Sequence, residues 1–170
     1  MHLYGLNIFK PAAAGEPDYS LFNKNRLMYS PDDLLFLAPS QSVFETASGA
    51  FARQVLIISL ADPAATANNR IFLSKVLSAV QLNLEQDTLF VELPAGQPVG
   101  LLMDLRQRKP EFVLVFGVPA AQLGLNMTIL LYQPFVFQQM TFLFTDALPT
   151  LGLDQEKKGQ LWTALKTVFL

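Results

Sequence analysis

The sequence predicts an α/β fold: a three-layer α/β/α sandwich with a mostly parallel central sheet. Three runs of apolar, β-branched and aromatic residues carry this reading: Gln54–Leu60, Thr88–Leu93 and Phe112–Gly117. Such runs suit strands covered on both faces. The stretches between them have helical periodicity, and each strand–helix–strand unit is long enough for a right-handed parallel crossover.

Taken in order, residues 1–33 form an irregular head broken by Pro11, Gly15, Pro17 and Pro31, and residues 34–170 form a single domain. Leu34–Leu37 is a short apolar run stopped by Pro39, and residues 40–51 read as loop or weak helix. The Gln54–Leu60 strand ends at Asp62-Pro63, an N-cap acid followed by a first-turn proline. From there a helix is expected to about Val80, with Phe72, Leu73, Val76, Leu77 and Val80 on its apolar face. Asn68, Asn69, Lys75 and Ser78 take the outer face. After the Thr88–Leu93 strand, Val99–Lys109 reads as a helix with Arg106, Arg108 and Lys109 in its last turn, stopped by Pro110.

Phe112–Gly117 is the third strand, and a short helix is expected over Val118–Leu123. Thr128–Tyr132 and Gln138–Phe144 read as further strands joined through Gln133-Pro134. Asp154 is expected to cap a C-terminal helix whose apolar face is Leu161, Trp162, Leu165, Val168 and Phe169, with Trp162 in the core.

Composition narrows the chemistry. The 170 residues are 51% hydrophobic and 15% charged, with a net charge of −2. Ordinary domains carry roughly 25% charged residues, so the chain is apolar and folded, and its charge disfavours nucleic-acid binding. There is no cysteine, which excludes thiolate metal sites and cysteine nucleophiles, and His2 is the one histidine. No cofactor and no metal are expected. Residues 112–145 hold no charge at all, but glycine, proline, glutamine and asparagine interrupt them. A spanning helix needs about 20 mostly apolar residues in a row, so buried strands are the better reading. With no secretory signal visible, a cytoplasmic location is expected.

Candidate chemistry is sparse. There is no glycine-rich nucleotide loop, and Ser40, Ser42 and Ser48 have no nucleophile-elbow context. Asp62 lies at the carboxyl end of the first strand, where open α/β sheets place ligands, although an N-cap is its simpler role. Phe112, Phe116, Phe135, Phe137, Phe142 and Phe144 offer stacking faces, but no lysine or arginine accompanies them, so they read as core or protein interface. Tyr132, Phe135 and Phe137 surround Pro134 in an expected connection and are the candidate partner-binding residues.

Two resemblances extend this reading. Gln54–Leu60 with Asp62-Pro63, Glu111–Gln122 with its Gly117 and Ala121-Gln122, and Phe142–Leu151 with Leu148-Pro149-Thr150-Leu151 resemble three segments of the uracil-DNA glycosylase superfamily. In that family the corresponding loops read Gly-Gln-Asp-Pro-Tyr and His-Pro-Ser-Pro. Here Ala61 and Ala64 replace the pocket glutamine and tyrosine, and no histidine precedes Leu148-Pro149. The resemblance therefore implies a framework that keeps only Asp62 of the active site.

Residues 34–168 also resemble the psi-subunit family of DNA polymerase III, a non-catalytic clamp-loader accessory with a similar fold. Leu34–Pro39, Arg53–Ser59, Val76-Leu77-Ser78-Ala79-Val80, and Asp146–Leu151 followed by Gln160-Leu161-Trp162 carry it. This resemblance implies a scaffold with protein partners, clamp-loader components among them, and makes residues 1–33 the candidate binding arm. The alternative is a divergent glycosylase-like DNA-binding protein or weak enzyme that uses Asp62. An open polar cleft at Asp62, Gly117 and Pro149 would favour the enzyme, and a filled one the scaffold.

Overall fold

The structure, a computed structural model, describes residues 43–170; the expected head and the Leu34–Leu37 run lie outside the described residues. The elements are β1 (Val55–Leu60), α1 (Thr66–Ser78), β2 (Thr88–Leu93), α2 (Leu101–Arg108), β3 (Phe112–Phe116), β4 (Phe135–Phe137), β5 (Met140–Thr145), α3 (Leu148–Leu153) and α4 (Gln155–Phe169). Short 3-10 helices occupy Val43–Thr46 and Ala120–Leu123. Among the described residues, one five-stranded sheet has the order β2-β1-β3-β5-β4. Its first four strands are parallel, and β4 pairs antiparallel with β5 at the edge.

The parallel strands are apolar on both sides because both sides are covered. Leu56, Val113 and Phe142 stand in one cross-strand row, beside Leu89 on β2 and Phe135 on β4. That face packs with Leu101 and Leu105 of α2. Ile57, Leu114 and Leu143 form the next row on the opposite face. It packs with Leu73 and Leu77 of α1, Leu148 and Leu151 of α3, and Leu161, Ala164 and Leu165 of α4. Helices on both faces of a mostly parallel sheet are the expected α/β layering.

Several boundaries follow from backbone chemistry. The amide of Leu82 donates to the Leu77 carbonyl at 3.0 Å around the left-handed Gln81, a Schellman closure of α1. Lys109 closes α2 in the left-handed region, its amide 2.7 Å from the Leu105 carbonyl, and Pro110 follows. Asp154 caps α4 as expected, its Oδ1 accepting from the amides of Glu156 and Lys157 at 2.9 and 3.1 Å.

The structure corrects other expectations. Helix α1 starts at Thr66 rather than at Pro63, and its N-cap, Ala65, has no capping side chain. Asp62 instead turns its carboxylate onto the amide of Ala64, 3.2 Å away. Asn69 is buried rather than outward-facing. Residues 128–132 are not a strand: Tyr132 has φ +62°, outside strand geometry, and Leu130 and Leu131 are both exposed. The segment read as a connection, Phe135–Phe137, is strand β4. Gln138 and Gln139 belong to the hairpin turn and not to the following strand, both with positive φ, the signature of a type I′ turn. Residues 148–153 are helical, and Trp162 is 39% exposed rather than core. Among the described residues, no helix is long and apolar enough to cross a membrane.

Candidate functional site

Strands β1, β3 and β5 are parallel neighbours, so the segments that follow them emerge on one edge of the sheet. This is the edge where open α/β sheets bind ligands. Asp62 is half-buried there. Its backbone carbonyl accepts from the Ala65 amide at 3.0 Å and the Thr66 hydroxyl at 2.9 Å. With its side chain on the Ala64 amide, the residue is occupied in shaping the turn into α1.

Gly117, φ +71°, lies hard against the residue preceding α3. A Cβ placed on it would come within 2.6 Å of the Ala147 Cβ and 2.8 Å of its Cα. The Gly117 amide also donates to the Thr145 carbonyl at 3.0 Å. Backbone therefore closes on backbone between the ends of β3 and β5. Gln122 is buried, and its Nε2 donates to the Pro94 carbonyl at 2.7 Å, tying this loop to the segment after β2.

Pro149, in the first turn of α3, lines a cavity of about 420 Å³ between α1 and α3, together with Asn68, Asn69, Phe72 and Lys75. Asp62 and Gly117 are not among its lining residues. Asn69 is 5% exposed, and its Nδ2 has no hydrogen-bond partner among the described residues. A buried amide nitrogen without a partner carries a desolvation cost of about 1–3 kcal/mol.

At the end of β5, Asp146 holds two partners. Tyr132 donates its hydroxyl to Oδ2, and Lys157 of α4 reaches Oδ1 at 2.9 Å. Burial, then the hydrogen bond and charge of Asp146, push the Tyr132 phenol well above its ordinary value. The Tyr132 hydroxyl, then Lys157, hold the Asp146 carboxyl below its ordinary value against the effect of burial. The cluster ties the chain entering β4 to the end of β5 and to α4. Asp146 lies 14 residues from Tyr132 and 11 from Lys157, so no local spacing announced the cluster.

The candidate partner-binding residues divide. Tyr132 is half-buried in the cluster just described. Phe135 and Phe137 are half-buried against Phe142, with ring centroids 5.6 and 6.3 Å away. The outward residue between them is Val136, 73% exposed. Leu130 is 60% exposed, and Met127 and Leu131 are exposed too. The alternation Phe-Val-Phe was the available signal for an outward Val136, and its three-residue length behind Pro134 hid it.

Among the described residues, no group of three His, Asp or Glu side chains is placed to hold a metal ion. The chain matches no protein-family model, and a comparison with curated proteins returns no significant match.

Proposed function

We propose that this chain is a non-catalytic accessory protein on a uracil-DNA glycosylase-like framework. It acts through protein–protein contacts in a replication or repair complex, as the psi subunit of DNA polymerase III does. The observation that carries this reading is the exposure of Leu130, Leu131 and Val136 beside the edge strand β4, within a stretch that holds no charge. Exposed apolar side chains beside an open strand edge are what a protein partner covers. The closed approach of Gly117 to Ala147 and the turn-shaping role of Asp62 support it. Such a role implies a cytoplasmic location.

The test is reconstitution of the full chain with purified clamp-loader complex, read by co-elution and sedimentation. A stable complex is expected, weakened at least about tenfold by Leu130→Glu with Val136→Glu. Failure of the two to associate, or an association indifferent to both substitutions, would overturn the reading.

One observation favours a second reading: the partly polar cavity beside Pro149, with the unpartnered amide of Asn69 in its wall. It supports a divergent glycosylase-like protein that binds a ligand between α1 and α3; weak activity would rest on Asp62, which lies outside that cavity. Release of uracil from a uracil-containing oligonucleotide, abolished by Asp62→Asn, would replace the first reading with this one.

A further inference from the structure

Seven non-glycine residues have positive φ among the described residues, and four of them, Gln54, Lys109, Gln138 and Gln139, line one cavity. It has a volume of about 360 Å³ and lies at the amino-terminal edge of the sheet, opposite the edge discussed above. Its floor is apolar and buried: Leu105, Pro110 and Met140. Its rim carries three primary amides, from Gln54, Gln138 and Gln139, two cations, Arg106 and Lys109, and one carboxylate, Glu111. Among the described residues, none of these six side chains has a hydrogen-bond or ion-pair partner.

The left-handed region favours glycine, which has no Cβ to clash. At all four positions this chain carries a long polar side chain in that region instead. A helix C-cap explains the backbone of Lys109, and a type I′ hairpin explains that of Gln138 and Gln139, but neither explains the choice of residue. Strained non-glycine backbone that converges on one cavity marks a site where the side chains are used. The rim is also held in place. The Glu111 amide donates to the Gln54 carbonyl at 2.9 Å, and the Thr141 amide donates to the Glu111 carbonyl at 2.9 Å. Two rim positions, Gln54 and Glu111, are thus held side by side at the entries to β1 and β3, and Glu111 is tied to β5, which preorganises them.

We propose that this cavity binds a nucleoside monophosphate. A primary amide offers a donor and an acceptor together, the match for a base edge. Arg106 and Lys109 supply the charge that a phosphate requires, and they are needed there because the C-terminal end of α2 is the wrong dipole end for an anion. The Glu111 carboxylate accepts from ribose hydroxyls, and the apolar floor meets the face of the base. The volume is at the lower end of the range for small-ligand sites, about 300–1,000 Å³.

The experiment titrates the isotope-labelled full chain with each of the four ribonucleoside monophosphates, ribose 5-phosphate and inorganic phosphate, following backbone amide shifts. Saturable shifts at residues 105–111 and 138–140 are expected for at least one nucleotide, with binding at least tenfold tighter than that of inorganic phosphate or ribose 5-phosphate. Two variants separate binding from folding: Lys109→Gly, and Gln138→Gly with Gln139→Gly. Each relaxes a left-handed residue, so each should raise the melting temperature while weakening nucleotide binding at least tenfold. Absence of saturable shifts with every nucleotide overturns the proposal. So does equal affinity for inorganic phosphate, or binding that both variants leave intact.

Discussion

Replacing Gly117 with alanine is expected to destabilise the fold by about 2–5 kcal/mol. Two effects combine. At φ +71° an alanine occupies the left-handed region, which costs about 1–2 kcal/mol. Its Cβ also arrives 2.6 Å from the Ala147 Cβ. Carbon atoms pack best at about 3.5–4.0 Å, so a shift of about 1 Å is needed, and overpacking of this kind costs about 1–3 kcal/mol. The backbone of Ala147 precedes α3, whose Leu148 and Leu151 sit in the core, so that shift has to move a packed helix. Urea unfolding measures the effect. With a slope of about 2 kcal/mol/M the midpoint should fall by about 1–2.5 M. Adding Ala147→Gly removes one of the two clashing atoms and should recover part of the loss, while the left-handed cost stays. A Gly117→Ala midpoint within about 0.3 M of the parent, or a double variant no more stable than Gly117→Ala alone, would refute the close approach inferred between the ends of β3 and β5.

Two further outcomes test other parts of the molecule. Asp154→Ala removes the acceptor for the Glu156 and Lys157 amides and should cost about 1 kcal/mol, read as a fall in melting temperature of about 2–4 °C. The Asp146 carboxyl is lowered in the folded protein, so its stabilising contribution is present above its unfolded value of about 4 and is lost as pH falls through the lowered one. Asp146→Asn should therefore lose less stability than the parent on acidification from about pH 5 to pH 2, although it is less stable at neutral pH. Parallel melting-temperature profiles across that range would mean that the contact with Tyr132 and Lys157 contributes nothing.

Local signals alone determined most of the framework. The mainly apolar runs at 55–60 and 112–116 leave no polar face, so a strand buried on both sides suits them, and helices must cover it. Asp154 announced its helix because an N-cap is a property of neighbouring residues. Tertiary contact decided the rest. Phe135–Phe137 is too short to declare itself and becomes a strand only because β5 offers an unpaired edge. Asn69 sits at a position that its own polarity assigns to solvent, and Trp162 at one that its size assigns to the core; the packing of α1 and α4 places both the other way. The left-handed residues around the amino-edge cavity, and the contact of Tyr132 and Lys157 with Asp146, join segments far apart along the chain. Composition and periodicity describe a residue's neighbours in sequence; which distant side chains share a cavity depends on how the strands are ordered, and only the assembled sheet expresses that order.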